Sequence, residues 1–185
     1  MLDLTAFEAR LLAAENFRSA GGIDALVPTR PGLYVIKMVE RVDLPEPFTS
    51  LAIERGHDLI YLGKASQSLY TRFLFQELRG RGHGTFFRTI GAVLGFRPQQ
   101  GSLRDKVNQN NYTFALNDRL EIVDWIDKHL LVSFVVIDDP VGPLEVALIR
   151  KHLPLLNIKD NPAALPELKA LRGECLSIAR NPPQI

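Results

Sequence analysis

Tyr61, Lys64 and Arg72 lie in one short stretch whose pattern changes from that of a strand to that of a helix. The apolar run 59–62 stops at Gly63, and beyond it the apolar residues fall one helical turn apart. Because the end of a strand and the first turns of the next helix share one edge of a sheet, we expect the three side chains to gather over one spot. That spot would suit a phosphate.

Hydrolysis of a phosphodiester requires an activated water, charge stabilisation on the non-bridging oxygens and a proton for the leaving oxygen, all in one place. Arg72 offers a planar fork of donors for two phosphate oxygens and stays charged in any surroundings. Taken alone, Arg72 is better explained as an exposed helix arginine. His83 lies in a glycine-rich loop, and a histidine there could exchange a proton or contact a phosphate.

Positive charge is concentrated in one segment, although the whole chain carries a net charge of only +1. Residues 64–106 contain eight Lys or Arg against two acids, which gives +6, and the remainder has 14 basic and 19 acidic residues, which gives −5. This predicts a local positive field that attracts polyanions, with Arg79, Arg81 and Arg88 beside Lys64 and Arg72 as nucleic-acid contacts. We expect Arg88 on the exposed face of its helix. An ordinary solvated basic face is the alternative.

Length and composition predict a single domain over residues 1–185, since 185 residues with 46% hydrophobic content bury one sizeable core. The lone Cys175 excludes an internal disulfide, and no apolar run approaches the roughly 20 residues of a membrane span. We therefore expect a cytoplasmic protein with no membrane partner. No Cys/His cluster has the spacing of a zinc site, and no phosphate-cradling glycine loop is found.

The elements that must position these residues predict an α/β (α+β) fold, with a small central antiparallel three-stranded sheet flanked by helices and with N- and C-terminal helical extensions. The strands are expected near 32–39, 58–63 and 131–137, with Tyr34 and Ile36 on one face of the first strand. Residues 40–57 are interpreted as a long acidic hairpin connection. Helices are predicted over 3–17, with Asp3 as N-cap, from about 69 to 79 and from 85 to near 95. Further helices are predicted from a capping box at Asp118 and Glu121 to near 129, from 142 to 153, and in an amphipathic segment after 162.

Four ordered motifs together resemble the GIY-YIG nuclease superfamily. They are Pro31-Gly32-Leu33-Tyr34, then Tyr61-Leu62-Gly63-Lys64-Ala65 followed by Arg72, then Glu145 at the start of a helix, and Pro154-Leu155-Leu156-Asn157. The tripeptides read Gly-Leu-Tyr and Tyr-Leu-Gly, which are conservative changes. Residues 35–60 are a longer spacer than compact members have. The resemblance implies a nuclease core over about 30–160, with helical extensions at 1–28 and 162–185.

The resemblance implies a divalent-metal-dependent endonuclease that hydrolyses phosphodiester bonds in DNA, with RNA left open as a substrate. Glu145 would hold Mg²⁺ or Mn²⁺, because one carboxylate with several waters is a usual arrangement for Mg²⁺. A glutamate in the first turn of a helix also complements the helix dipole without any metal. Arg72 would stabilise the transition state.

The same resemblance implies the roles of the remaining site residues. Tyr34 would take a proton from the attacking water, although a phenol with a pKa near ~10 needs help from a cation such as Lys64 or the metal. Whether His83 or a tyrosine is the base stays open. Tyr61, Lys64 and His83 would shape the charge around the phosphate. Gly32, Gly63 and Asn157 would support the site, Asn157 through amide hydrogen bonds.

Two other functions are compatible with the sequence. One is a nucleic-acid-binding module that keeps the nuclease fold but does not cleave, which the presence of Tyr34, Tyr61, Arg72 and Glu145 argues against. The other is an interaction domain whose basic face meets an acidic protein. Salt-sensitive DNA binding without cleavage would favour the first, and absence of DNA binding the second. The recognition sequence, the biological role and the oligomeric state stay undetermined.

Overall fold

The structure, a computed structural model, describes residues 4–138 and 140–181, with Leu4 described by its backbone alone. The expected N-cap, Asp3, lies outside these residues. The strands are β1 (Arg18–Ser19), β2 (Gly32–Met38), β3 (Leu59–Ala65) and β4 (Leu130–Val136). The helices are α1 (Leu4–Leu12), α2 (Phe48–Arg55), the π-helix Tyr70–Leu78, α3 (Thr85–Val93), α4 (Leu116–His129), α5 (Gly142–His152) and α6 (Pro166–Arg180).

The strands form one antiparallel sheet in the order β1-β4-β2-β3. The predicted α+β class and the three long strands are confirmed, but the predicted strand number is wrong by one. The missed strand, β1, has only two residues, both exposed, which is too short to show an alternating pattern. The register pairs Tyr34 with Gly63 on β3 and with Phe134 on β4.

The sheet is buried on both faces, and the alternation of β2 decides which side chain meets which layer. Leu33 and Val35 belong to the core that includes residues of α1 and α5. Tyr34 and Ile36 belong to the larger core that includes residues of the π-helix, α3, α4 and α6. The predicted placement of Tyr34 and Ile36 on one face is confirmed, because successive side chains of a strand point to opposite faces.

Three details of the predicted elements are wrong. The 40–57 segment is not a plain connection, because it contains α2, whose Phe48 and Ala52 are buried four residues apart. The N-terminal helix ends at Leu12 rather than at residue 17, and a 3-10 turn leads from it into β1. The capping box at Asp118 and Glu121 does not form, because α4 already begins at Leu116 and has no side-chain cap.

None of the helices in the described ranges is long and apolar enough to cross a membrane.

Candidate active site

A cavity of about 680 Å³ opens where β2, β3, the π-helix and α5 meet. It is lined by six residues that the sequence singled out: Tyr34, Tyr61, Lys64, Arg72, Glu145 and Asn157. The other polar residues in its wall are Ser66, Gln67, Ser68, Thr71, Gln76, Thr85, Thr89, Lys159, Asp160 and Arg172. The fold therefore brings a guanidinium, an ammonium, a carboxylate and two phenols to one water-accessible hollow, although they are spread over more than a hundred residues of chain.

The guanidinium of Arg72 is held on several sides. Its Nη2 lies 2.8 Å from Oε1 of Glu77 and 3.3 Å from Oγ1 of Thr85. Its Nη1 donates to Oε1 of Gln76 at 2.9 Å and to the backbone oxygen of His83 at 3.4 Å. About a third of the Arg72 side chain remains exposed, at 33%. The group is therefore fixed in orientation and still accessible from the cavity.

Glu77 is a carboxylate with no exposed surface directly beside this arginine. Its Oε2 accepts hydrogen bonds from the backbone N–H groups of Phe86 at 2.8 Å and Phe87 at 3.3 Å, at the start of α3. Burial raises the pKa of Glu77, while Arg72 and these N–H groups act in the opposite direction. Burial alone would lower the pKa of Arg72, but the neighbouring Glu77 outweighs it and the pKa is raised. The pair ties the π-helix to α3.

The π-helix explains how Arg72 and Glu77 meet. In an α-helix, which turns by about 100° per residue, side chains five positions apart point roughly 140° away from each other. A π-helix hydrogen-bonds from i to i+5, which brings such residues onto one side. The sequence predicted an ordinary helix here, so it gave no reason to connect the two residues. π-Helical turns are rare and occur frequently at functional sites.

Tyr34 and Tyr61 form the floor of the cavity, with ring centroids 6.4 Å apart. Tyr34 also stacks on Phe73 at 4.6 Å, and its hydroxyl lies 3.4 Å from Oε1 of Glu77. A Cβ on Gly63 would lie 2.4 Å from this hydroxyl, so only glycine leaves room for the Tyr34 ring to cross β3. Burial, with Glu77 nearby, raises the pKa of both phenols far above its usual value. Both hydroxyls therefore stay protonated at neutral pH.

One comparison with known proteins found a match. A family model described as the GIY-YIG catalytic domain matches residues 32–174, which is well over half of the chain. The chain belongs to the GIY-YIG family. Its catalytic domain indicates a nuclease-type function with a nucleic acid as substrate. Neither the comparison with curated proteins nor the comparison with solved structures returned a match.

GIY-YIG nucleases are generally dependent on a divalent metal, and Glu145 is the carboxylate that lines the cavity beside the tyrosines. Its Oε2 lies 3.0 Å from Nζ of Lys64, and its side chain is 17% exposed. Among the described residues only Lys64 pairs with this carboxylate, which leaves Oε1 without a protein partner. No group of three or more metal-ligating side chains is found in residues 4–138 and 140–181. One free carboxylate oxygen in a wet cavity fits Mg²⁺, which keeps most of its waters, rather than an ion that needs a protein cage.

Asn157 joins the loop after α5 to β3, the edge strand that carries Tyr61 and Lys64. Its Oδ1 accepts from the N–H of Leu62 at 2.9 Å, and its Nδ2 donates to the Leu62 oxygen at 2.8 Å. The backbone N–H of Leu156 adds a bond to the Ile60 oxygen at 2.7 Å. The side-chain amide thus satisfies the backbone N–H and C=O of Leu62 at the sheet edge, where a further strand would otherwise do so.

Gly32 supports the site in another way, on the neighbouring strand β2. A Cβ there would lie 2.2 Å from the Val135 oxygen, so only glycine lets β2 and β4 approach this closely.

Four of the residues that the sequence assigned to catalysis or nucleic-acid binding do not line the cavity: Arg79, Arg81, His83 and Arg88. His83 has an exposed side chain, and only its backbone oxygen contacts Arg72. Arg81 is exposed and lies over the Phe75 ring, 5.7 Å from the ring centroid. Arg79 forms ion pairs with Asp24 and with Asp127, the latter at 2.7 Å.

Arg88 requires a correction. It was expected on an exposed helix face, but only 7% of it is accessible to solvent, and its Nη1 donates to Oδ1 of Asn111 at 2.6 Å. The helix face was misassigned because the whole segment from Phe86 to Val93 is buried against other elements. Two of the eight basic residues counted over 64–106 are therefore not free on a basic surface, because Arg79 is paired and Arg88 is buried.

Three residues at or beside the site were missed by reasoning from the sequence: Glu77, Gln76 and Arg172. For Glu77, the available signal was an acid in an otherwise basic segment, five residues after Arg72. Gln76 follows Arg72 by four residues, a spacing at which helical side chains meet. Arg172 gave no signal, because it reaches the cavity from the C-terminal helix, which the sequence showed only as an amphipathic segment.

Proposed function

We propose that this protein is a divalent-metal-dependent endonuclease that hydrolyses phosphodiester bonds in DNA. The observation that supports this best is the single cavity in which Arg72, Glu145, Tyr34, Tyr61 and Lys64 all take part. The match to the catalytic domain of a nuclease family supports the reaction class. The choice of DNA as the substrate is our own inference.

Arg72 is the group we assign to the phosphate. Its guanidinium is oriented by Glu77 and Gln76 before a substrate arrives. Its two longer hydrogen bonds, to Thr85 at 3.3 Å and to the His83 oxygen at 3.4 Å, are the ones that phosphate oxygens would replace. Preorganised donors stabilise the charge that develops on the phosphoryl oxygens without further rearrangement, and such stabilisation is usually a large contribution to catalysis. Lys64, 36% exposed at the cavity wall, adds a second positive charge.

Tyr34 is assigned to orienting the attacking water. Because burial keeps its hydroxyl protonated, we do not assign it the part of a preformed phenolate base. Its proton is directed towards Glu77, which leaves an oxygen lone pair to accept a hydrogen bond from water. A metal ion held by Glu145 would supply Lewis-acid activation of the water or of a phosphoryl oxygen. His83 is exposed, and its ring would need to move to take part.

The test is incubation of supercoiled plasmid with the protein in Mg²⁺, in Mn²⁺ and in EDTA. We expect nicked or linear product with a metal and none with EDTA. Arg72→Ala and Glu145→Ala should each lower the rate by at least about a hundredfold, the usual size of the loss when one charge-stabilising group is removed. Arg10→Ala and Glu121→Ala make the same changes at exposed positions and should cleave like the wild type.

Other results would redirect the assignment. Cleavage of an RNA of matched sequence but not of DNA would keep the nuclease and overturn the substrate. Binding of DNA with no cleavage under any metal condition would overturn the enzyme and favour the non-catalytic module. Each variant is first checked for the wild-type circular dichroism spectrum, so that a loss of activity is not a loss of fold.

A further inference from the structure

Arg172 reaches the cavity from α6, a helix that packs against α3. Its Nη1 donates to the backbone oxygen of Thr85 at 3.3 Å and to Oγ1 of Thr89 at 3.2 Å. Its guanidinium carbon lies 5.3 Å from the centroid of the Tyr112 ring. All these contacts are to neutral groups. Arg172 is therefore held in place without being neutralised.

Lys64 and Arg72, in contrast, each form an ion pair with a carboxylate. Lys64 is paired with Glu145, and Arg72 is paired with Glu77. In the part of the chain that the structure describes, no carboxylate forms an ion pair with Arg172. Lys159 also lines the cavity without an ion pair to any described residue, but it is exposed and lies in a turn outside the helices and strands. The fixed positive charge available to a polyanion is thus carried mainly by Arg172.

Arg172 is also next to Arg72. Both guanidinium groups contact the same residue, Thr85, since Arg72 donates to its Oγ1 at 3.3 Å and Arg172 to its backbone oxygen at 3.3 Å. Glu77 compensates the charge of Arg72 but not that of Arg172, so an anion beside Thr85 would still be attracted to this place. An extended chain of phosphates presents such anions at successive positions.

A second arginine close by points to the same excess of positive charge. Arg88 lies 5.7 Å from the centroid of the Tyr112 ring, and its Nε is buried without a hydrogen-bond partner. Burial, together with the charge of Arg172, lowers the pKa of Arg88 to about 10. Neither arginine has a carboxylate partner among the described residues. A buried charge such as that of Arg88 is costly unless it is paired, so a bound anion would stabilise the positive charge around the Tyr112 ring.

We propose that Arg172 binds a backbone phosphate of the nucleic acid other than the one that Arg72 contacts, so that the two arginines hold one strand across Thr85. The proposal rests on the proposed function and extends it from the cleaved bond to the path of the strand. Arg172 is a binding residue in this assignment, and the chemistry stays with the residues already described.

The test uses a short labelled DNA duplex and the full chain in EDTA, so that binding is measured without cleavage. Dissociation constants are measured between about 50 and 200 mM salt for wild type, Arg172→Gln and Arg172→Lys. Loss of one phosphate contact should lower the slope of log K against log salt by about 0.9. We expect this for Arg172→Gln, with binding roughly tenfold weaker at low salt. Arg172→Lys should keep the slope, because it keeps the charge.

Lys169→Gln is the matched control. It makes the same loss of charge on the same helix, at an exposed position that does not line the cavity, and it should keep the wild-type slope. If Arg172 only stabilises the packing of α6 against α3, Arg172→Gln and Arg172→Lys should both lower the melting temperature. Both should then keep the wild-type slope of log K against log salt. That result would overturn the proposal.

The two proposals fail in different ways. If the wild type binds and nicks DNA while Arg172→Gln keeps the wild-type slope, only the role of Arg172 is lost. If the wild type neither binds nor nicks DNA, the proposed function is lost and the phosphate contact with it.

Discussion

The Nη2 atom of Arg72 lies 2.8 Å from Oε1 of Glu77, and Glu77 has no exposed surface. A buried carboxylate is costly unless it is paired and hydrogen-bonded, and Glu77 is both. Its partners come from the π-helix on one side and from the start of α3 on the other. The same contact therefore orients a site residue and fixes the packing of two helices.

Glu77→Ala should destabilise the fold strongly, because it leaves Arg72 half-buried without its partner and the N–H groups of Phe86 and Phe87 without an acceptor. Breaking a buried ion pair from one side typically costs about 3–5 kcal/mol. Urea unfolding followed by circular dichroism measures this directly. Glu54→Ala, at an exposed position of α2, should change the stability by less than about 0.5 kcal/mol.

Glu77→Gln separates orientation from stability. The amide keeps an acceptor oxygen and nearly the same shape, so we expect a folded protein with a smaller loss of stability. Without the negative charge the guanidinium of Arg72 is less firmly held, and plasmid cleavage should fall at least tenfold. Wild-type cleavage by a folded Glu77→Gln protein would show that Gln76 and Thr85 suffice to orient Arg72.

The sequence predicted the sheet and the membership of the site better than the contacts inside it. Strand β2 is rich in β-branched and aromatic residues, and Tyr34, Tyr61 and Glu145 lie in motifs, so their positions could be predicted from local sequence. The Arg72–Glu77 pair could not, because it depends on a π-helix, which differs from an α-helix in hydrogen bonding rather than in composition. Arg88 was misplaced because a helix that is buried all round shows no exposed face to which a charge can be assigned.

Gly63→Ala tests the close passage of Tyr34 over β3. The new methyl group would lie 2.4 Å from the Tyr34 hydroxyl, so the ring must move away from its place beside Glu77. We expect overpacking to cost about 1–3 kcal/mol and plasmid cleavage to be lost in the folded protein. Gly22→Ala is the control, because nothing lies within 4 Å of a Cβ built there. An active Gly63→Ala protein would mean that the place of the Tyr34 hydroxyl is not required.

The pH dependence of stability should include a contribution from Glu8, which joins α1 to the end of α5. Its Oε2 lies 2.7 Å from Nζ of Lys151, and its Oε1 lies 2.6 Å from Nε2 of His152. Burial raises the pKa of Glu8, but these two partners outweigh it and the pKa is lowered. A lowered folded-state pKa gives stability that is present above the unfolded value of about 4.3 and is lost as the pH falls through the folded value.

Glu8→Gln should therefore be less stable than the wild type at pH 7, by about 1 kcal/mol because Lys151 is largely exposed. The difference should shrink as the pH falls below about 4 and should disappear once Glu8 is protonated in the folded wild type. Thermal unfolding of both proteins across this range measures it. Glu15→Gln, an exposed neighbour, should follow the wild type throughout. A difference that stays constant with pH would assign the loss to packing rather than to charge.

Lys64 and a metal ion should compete for Glu145, since the ammonium lies 3.0 Å from Oε2 of the only carboxylate that we assign to the metal. Lys64→Met removes the charge and keeps the length of the side chain. This ion pair is partly exposed, with Lys64 at 36% and Glu145 at 17%, and such a pair is worth about 1 kcal/mol. The Mg²⁺ concentration for half-maximal cleavage should therefore fall by up to about fivefold. The maximal rate should fall as well, because a positive charge is lost from the phosphate site. Titration of Mg²⁺ in the plasmid assay separates the two effects, and Lys128→Met, exposed on α4, serves as the control. If Lys64→Met instead requires more Mg²⁺ than the wild type, Lys64 helps to position the carboxylate for the ion rather than competing with it.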